Sequence, residues 1–433
     1  MENIELFLAQ NPWQGQKKFT VEPFIEREVF HQTLDWLERD EIITLTGPRQ
    51  AGKTTILLKF IENLLFEQGC PGSSIYYFNF DQEELVEDFG KPQKLLSFVK
   101  SRTPHQKYWL FLDEVQRLKE PGLYLKILYD LPEKPFKIVV SGSSSLLLRA
   151  KTKEYLTGRQ VEFYVFPLSS KEMAATFGFR LPADHSNALQ ELLGQAAVYG
   201  GYPRPFQEKN PQIKQQLLSQ LYRDYVKKDI RDFAGIEEAV GFNKLTGLLA
   251  YQVGNLIEKN ELAVSTQLDA RTVGKYLEAL ERTFVIKLIP PYFTNRRKEI
   301  VKTPKVYYLD GGLRNARLND FTNYDLRPDR GAVFENVVLA ELFKSCPSET
   351  QIHYWRTQAG AEVDFVLVKG QELVPVEVKS TIKEAQIPQG LKSFIESYRP
   401  AQSFVVSESF VGESRYKNTL LEFIPFSRLM EIF

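Results

Sequence analysis

The sequence predicts an α/β fold in successive parts. These are an N-terminal parallel sheet around a phosphate-binding loop, a helical and winged-helix middle, and a C-terminal α/β domain. Three observations predict it. Five apolar strand-like runs alternate with helix-forming runs up to Pro167, the pattern of a parallel sheet that binds its ligand at the strands' C-terminal ends. The first run feeds Gly47-Pro48-Arg49-Gln50-Ala51-Gly52-Lys53-Thr54, a G-x-x-x-x-G-K-[ST] stretch between strand and helix. Further on, three helical segments and two strands precede a group of short strands carrying Asp364, Glu377 and Lys379.

A chain of 433 residues exceeds one ordinary core. We divide it into a lead-in at 1–20, a nucleotide domain at 21–167, a helical lid or linker at 168–240, a winged helix-turn-helix at 241–327 and a last domain at 328–433. The 55 basic residues equal the 55 acidic ones, so binding to nucleic acid must come from a local patch rather than a global field. Cys70 and Cys346 fall outside any C-x-x-C spacing, which suggests neither zinc nor a disulfide framework. The N-terminus has early glutamates and only a short apolar run, unlike a secretory signal, and no stretch is long and apolar enough to span a membrane. A reducing, cytoplasmic setting is expected.

The elements follow in order. Residues 1–20 read as a loosely ordered lead-in, and Phe24 to Leu37 as a helix with Phe30, Leu34 and Leu37 on one face. Ile42, Ile43 and Leu45 form the first strand. Gly47 and Gly52 permit a loop whose backbone N–H groups curl around phosphate, and the following helix points its positive end there. Residues Gly47 to Thr54, with Thr55 behind them, are the nucleotide-binding candidates. Lys53 reaches the β- and γ-phosphates and Thr54 offers its hydroxyl to Mg²⁺. Ser74 to Phe80 is the next strand, followed by a helical stretch around Leu95 to Lys100. The run Tyr108 to Leu112 then ends in Asp113-Glu114. Downstream of such a loop, Asp113 is placed to hold the Mg²⁺ shell and Glu114 to orient and deprotonate a water. The other reading of the pair is a strand end with two solvated acids. Lys137 to Val140 is a further buried strand; Ser141 or Ser143 after it is a candidate γ-phosphate sensor, or part of a simple Ser/Gly turn. Arg159, before the strand Val161 to Val165, is either an arginine finger, in its own chain or another's, or a structural ion-pair partner.

GPRQAGKTT, YWLFLDEVQ, SGSSS and LTGR together resemble prokaryotic AAA-type ATP-binding proteins, of the variety with a poorly characterised second half. The resemblance runs from about Phe24 to Lys379 through YGGYPR (Tyr199 to Arg204), YRDYVKKDI (Tyr222 to Ile230) and GAEVDF (Gly360 to Phe365). It implies ATP and Mg²⁺ as cofactors.

In the middle, Ser170 to Phe177 reads as a helix, Gly200 to Pro203 as a turn or hinge, and Leu217 to Phe233 as a charged helix with a solvated face. Leu245 to Leu256, Leu262 to Leu268 and Thr272 to Phe284, the last capped by Asp269, are three helices. Val285 to Ile289 and Lys305 to Leu309 then pair as a wing. In a winged helix, Arg271, Thr272 and Lys275 would face a major groove, and Arg296, Arg297 and Lys298 would meet phosphates. The same fold also serves as a protein-interaction or lid module, and the neutral net charge does not favour DNA.

Gly331 to Phe343 is a helix with Glu335 near its start. Three strands follow at Ile352 to Arg356, Ala361 to Val368 and Leu373 to Val378. Asp364 on the second strand and Glu377-x-Lys379 closing the third resemble the PD-(D/E)-x-K nuclease site, within a restriction-endonuclease-like fold. That resemblance implies Mg²⁺ on Asp364 and Glu377, Glu335 completing the shell, and Lys379 acting on water. Alternating polar residues on a half-exposed sheet are the plainer reading. The expectation is an ATP-hydrolysing module controlling a winged-helix and nuclease-like half that acts on DNA. Its rival is a non-cleaving regulatory or scaffold ATPase whose last domain binds a protein partner. No membrane partner is implied, and a homo-oligomer is left open.

Overall fold

The computed structural model describes residues 4–15, 19–102, 107–142, 155–179, 181, 186–225, 239–293 and 303–433. The chain divides into two compact units, Met1–Pro167 and Leu168–Phe433.

In the first unit the order of elements is α1 (Ile4–Gln10), α2 (Glu28–Leu34), β1 (Ile42–Thr46), α3 (Lys53–Phe66), β2 (Ile75–Asn79), α4 (Glu83–Phe89), α5 (Pro92–Arg102), β3 (Tyr108–Asp113), α6 (Pro121–Tyr129), β4 (Phe136–Gly142) and β5 (Gln160–Tyr164). The strands form one sheet in the order β2-β3-β4-β1-β5, with every pair parallel. Strands β1, β3 and β4 are buried along their whole length because helices cover both faces, which is why they read as unbroken apolar runs. One apolar layer gathers Phe78, Leu110, Leu112, Leu125 and Ile138, the other Leu45, Ile56, Phe60, Phe111 and Val139. Residues two apart in a strand share a layer, and adjacent residues alternate between the two.

The described residues of the expected loose lead-in, 4–15, are packed against the sheet. Phe7 and Trp13 are buried, and the segment from α1 to Gly15 covers the open edge of β2. Asn11 behaves as a strand residue in side-chain form: its Nδ2 donates to the Tyr77 carbonyl (2.9 Å) and its Oδ1 accepts from the Tyr77 N–H (2.8 Å). Trp13 and Gln14 both donate to the Ile75 carbonyl, and Gln10 accepts from the Asn79 N–H. The ladder groups that an edge strand would expose are thereby paired.

The second unit begins with α7 (Ser170–Thr176), whose N-terminus carries a complete capping box of Ser169 and Glu172, and α8 (Ser186–Gly194). A π-helical turn (Gln195–Tyr199), α9 (Pro203–Gln207) and α10 (Pro211–Tyr222) follow. Of the two readings of Gly200 to Pro203, turn or hinge, the contacts favour a fixed turn. The Gly201 N–H donates to Asp310 Oδ2 (2.8 Å), and a Cβ on Gly200 would lie 2.2 Å from Asp310 Oδ1. The helix expected from Leu217 begins at Pro211, capped by Asn210. Its expected end, with most of YRDYVKKDI, lies outside the described residues.

Helices α11 (Ala239–Tyr251), α12 (Lys259–Thr266) and α13 (Ala270–Arg282) lead into the antiparallel pair β6 (Ile286–Ile289) and β7 (Lys305–Tyr308). Gln267 in the left-handed region ends α12, and the Asp269 side chain caps α13 by accepting from the Thr272 N–H. After α14 (Gly311–Leu318) and α15 (Arg330–Ser345) come β8 (Gln351–Arg356), β9 (Glu362–Lys369), β10 (Glu372–Val378), α16 (Gln389–Tyr398), β11 (Gln402–Ser407), β12 (Gly412–Tyr416) and β13 (Thr419–Pro425). They make a six-stranded mixed sheet, β12-β13-β11-β10-β9-β8. The first three strands are joined antiparallel, and α16 carries the chain across to β11, which runs parallel to β10. Among the described residues no helix is long and apolar enough to cross a membrane.

Candidate functional site

The loop between β1 and α3 is shaped by its glycines. A Cβ on Gly47 would lie 2.0 Å from the Val165 carbonyl oxygen, so only glycine lets the loop leave the sheet beside β5. Gln50 (φ 59°) and Gly52 (φ 101°) both adopt the left-handed region, the kind of backbone from which anion-binding loops are built. Arg27, buried just before α2, donates to the Ala51 carbonyl (2.8 Å) and to the Phe166 carbonyl (2.6 Å), tying the loop to the chain beyond β5. Lys53 is buried at the start of α3, its Nζ donating to the Gly47 (3.0 Å) and Pro48 (2.8 Å) carbonyls. Burial lowers its ammonium below the ordinary value, against the opposing pull of Glu114 and Asp113.

The parallel register places Leu112 opposite Val140, so Asp113 at the end of β3 meets Ser141 at the end of β4. Asp113 is fully buried and satisfied by three hydroxyls: Thr54 (2.6 Å) and Tyr77 (2.9 Å) donate to Oδ2, and Ser141 donates to Oδ1. Burial, then the neighbouring Asp113 carboxylate, pushes the Tyr77 phenol far up, which keeps it a donor. The Glu114 N–H donates to Ser141 Oγ (3.2 Å), and Glu114 itself sits at φ 55° with its carboxylate accepting from Gln116. A non-glycine residue in that region costs energy, and such costs gather at functional positions. Thus Lys53, Thr54, Asp113, Glu114 and Ser141 converge at the strands' C-terminal ends, while Ser143 lies outside the described residues. The paired hard oxygens of Thr54 and Asp113, beside the glycine-shaped loop at the start of α3, fit Mg²⁺ and a phosphate chain.

Arg159 is not brought here. It immediately precedes Gln160, which pairs with Ile42 at the start of β1, so it lies at the opposite end of the strands from the loop. Its guanidinium forms an ion pair with Asp130 (2.9 Å). Within its own chain it is the structural partner, not a finger.

In the second unit, α13 buries Val273, Tyr276, Leu277 and Leu280, which leaves Arg271 and Lys275 exposed on the opposite face. The Thr272 hydroxyl is turned back to the Asp269 carboxylate (2.5 Å) and serves the cap. Arg296, Arg297 and Lys298 lie outside the described residues.

Glu335 and Asp364 do meet, with Glu362, around an ammonium, while Glu377 feels the Asp364 charge and pairs with Lys379. Lys305 of β7, a residue that sequence reasoning missed, lies 2.5 Å from Glu362 Oε1, 3.6 Å from Glu335 Oε1 and 3.9 Å from Asp364 Oδ1. Burial alone would lower the Lys305 ammonium, yet Glu335, Asp364 and Glu362 push it up to about 12. Burial and the Asp364 charge push the Glu335 and Glu377 carboxyls up to about 7, and burial raises Asp364 itself. Asp364 Oδ2 accepts from the Val378 N–H (2.8 Å), Tyr307 donates to Glu335 (2.5 Å), and Lys379 pairs with Glu377 (2.8 Å). Among the described residues no three His, Cys, Asp or Glu side chains are placed to hold one metal ion. The expected Mg²⁺ set of Glu335, Asp364 and Glu377 is therefore not found as a metal-holding group among the described residues, and Lys305 lies between Glu335, Glu362 and Asp364. Only β-strand alternation, with Lys305 and Tyr307 on one face, could have pointed to this lysine.

Comparison with known proteins matches 39–174 to a family described as an AAA domain, and 190–324 and 330–429 to two domains of unknown function. An uncharacterized protein of Haemophilus influenzae is 26% identical over 370 residues, covering 83% of this chain and 88% of that protein. An uncharacterized protein of Methanocaldococcus jannaschii is 26% identical over 370 residues, covering 80% and 77%. Among solved structures, a Walker-type ATPase of Pyrococcus abyssi aligns over 71% of this chain and 99% of its own, with 15% identity and a TM-score of 0.46. The ORC2 protein of Aeropyrum pernix aligns over 62% and 89%, with 14% identity and a TM-score of 0.40. The stretch 39–174, which holds the parallel sheet and the glycine-shaped loop, is thus similar to an AAA domain.

Proposed function

We propose that this chain hydrolyses ATP with Mg²⁺ and that this module controls a winged-helix and nuclease-like half acting on nucleic acid. The observation that carries the first part is the cluster of Thr54, Asp113 and Ser141, joined by hydrogen bonds across β3, β4 and the loop. The residues from Gly47 to Thr55 would cradle the phosphates, and Thr54 with Asp113 would hold Mg²⁺, which supplies charge neutralisation at the γ-phosphate. Glu114 would orient a water and take its proton as the water oxygen bonds to the γ-phosphorus. The bond from that phosphorus to the β–γ bridging oxygen then breaks, releasing ADP and phosphate. Ser141 would sense the γ-phosphate from the neighbouring strand end.

Glu114→Gln should keep nucleotide binding and lose turnover by about a hundredfold or more, the ordinary weight of a general base. Lys53→Ala should weaken binding itself. Steady-state phosphate release beside nucleotide titration reads both, and a Glu114→Gln protein turning over at the wild-type rate refutes the assignment.

The winged-helix reading is supported by α11, α12 and α13 followed by the β6–β7 pair, with Arg271 and Lys275 on the exposed face of the third helix. The nuclease-like reading is supported by the order of α15 with Glu335, β9 with Asp364, and β10 closing on Glu377-x-Lys379. One observation favours a non-cleaving last domain that binds a partner: the ammonium of Lys305 among the carboxylates.

A further inference from the structure

The carboxylates of the C-terminal unit are built around a lysine from a different element. Glu335 comes from α15, Glu362 and Asp364 from β9, Glu377 from β10, and Lys305 from β7. Lys305 is 3% exposed, and both flanks of its strand are held. The Ile257 N–H donates to the Pro304 carbonyl (2.9 Å), the Gly254 N–H donates to the Val306 carbonyl (2.9 Å), and the Tyr354 hydroxyl donates to the Thr303 carbonyl (2.7 Å). Beyond β6, the Tyr292 N–H donates to the Tyr354 carbonyl and the Tyr354 N–H to the Pro290 carbonyl, so the β6–β7 pair is stitched to β8 at its base. A second, independent feature marks the cluster as a place for a ligand. Glu377 is 6% exposed, and its Oε2 is buried without any hydrogen-bond donor among the described residues. A buried carboxylate oxygen left unpaired is costly and persists where something else satisfies it.

We propose that Lys305 is the resident cation of this cluster. Its ammonium holds the place between Glu335, Glu362 and Asp364 that a divalent ion would need, so the cluster takes Mg²⁺ or Mn²⁺ only when Lys305 withdraws. The inference rests on the nuclease-like reading of these strands and states what regulates that site. An ammonium meets these carboxylates as a single charge on a flexible stem, whereas a hard divalent cation would bind several oxygens at once. Both cannot occupy one position, and their charges repel. Because β7 itself is held on both flanks, the gate is the Lys305 side chain, whose ammonium must leave the carboxylates before a divalent ion can enter.

The test is Mn²⁺ uptake by the full chain without nucleotide, followed by the electron paramagnetic resonance of free Mn²⁺, with circular dichroism reporting the fold. Wild type should show no site that Asp364→Asn removes. Lys305→Met should gain one such site, binding about tenfold or more tighter than wild type. Adding Asp364→Asn should remove it, and Lys305→Arg should stay closed. If Lys305→Met does not fold, Lys305→Met with Glu362→Gln, which also removes the nearest carboxylate charge, should gain the same site. Uptake by wild type as tight as by Lys305→Met, and lost in Asp364→Asn, overturns the proposal. So does a folded Lys305→Met, or its double variant, that gains no site. Nicking of supercoiled plasmid in the same samples separates this from the broader reading. Ion uptake by Lys305→Met without cutting retires nuclease action and leaves the gate standing. Cutting by wild type that Asp364→Asn abolishes keeps nuclease action and overturns the gate.

Discussion

Gly47 shows how one position can be fixed by its neighbour's backbone rather than by any chemistry of its own. The Val165 carbonyl oxygen stands 2.0 Å from where a Cβ would sit, and backbone cannot swing aside as a side chain can. The same Val165 N–H is committed to the Thr46 carbonyl (2.8 Å), so β5 cannot retreat without breaking the ladder. Gly47→Ala should therefore lower stability by about 1–3 kcal/mol, the usual cost of overpacking, and also weaken nucleotide binding. Chemical denaturation and nucleotide titration check both effects. A variant as stable as wild type would mean that the loop has another way off the sheet. Arg27 complements this from the other side, since its guanidinium holds Ala51 and Phe166 together from within the core. Nothing local in the sequence marks Arg27, whose two partners lie 24 and 139 residues away.

At the scale of elements, two connections that read as passive turn out to be built. The N-terminal segment seals β2, and the Asn11 amide alone satisfies both backbone groups of Tyr77. Asn11→Ala leaves a buried N–H and a buried carbonyl unpaired, so it should cost about 1–3 kcal/mol, whereas Gln14→Ala, half-exposed, should cost less. Equal losses in a denaturant series would count against the edge-sealing role. The connection into α15 is held by Asp329, whose carboxylate accepts from Arg314 (2.8 Å) and Arg327 (2.8 Å). Burial alone would raise its carboxyl, but Arg327 and Arg314 hold it down at about 2, against an ordinary 3.8. A carboxyl lowered by folding stabilises the fold above its unfolded value and loses that contribution as pH falls through the folded value. Asp329→Asn should therefore lower the melting temperature at pH 7, and the gap to wild type should narrow below about pH 4. A gap that stays constant down to pH 3 would show that the ion pairs contribute nothing. Strands β1, β3 and β4 were legible because a parallel strand buried on both faces is a continuous apolar run. The loop was legible because its chemistry is local. Asn11, Lys305 and the lock at Gly200 were not, since each depends on a partner brought close only by the fold. A glycine pair reads the same whether it frees a hinge or admits a carboxylate. Strands β11, β12 and β13, with α16, also escaped, because none carries chemistry that a short motif could mark.

Across the whole molecule the basic and acidic residues cancel, 55 against 55, so no long-range field draws the chain to a polyanion. Any binding to nucleic acid must then arise where cations cluster on an exposed face. Among the described residues the third helix of the winged-helix reading offers Arg271 and Lys275, one turn apart on the face that α13 turns away from its core. Glu278 lies on that face too, and it is already paired with Arg282 (2.6 Å), which tempers its charge toward an incoming phosphate. Each phosphate neutralised releases counterions, so the logarithm of affinity falls with the logarithm of salt by about 0.9 per contact on duplex DNA. Replacing both Arg271 and Lys275 with alanine should weaken duplex binding at low salt and flatten the slope by about 2. Fluorescence anisotropy of a labelled duplex at several salt concentrations measures it. An unchanged slope would take α13 off the DNA. A wild-type protein with no slope at all would leave this helix pair and its strands as a surface for a protein, with the ATPase assignment untouched.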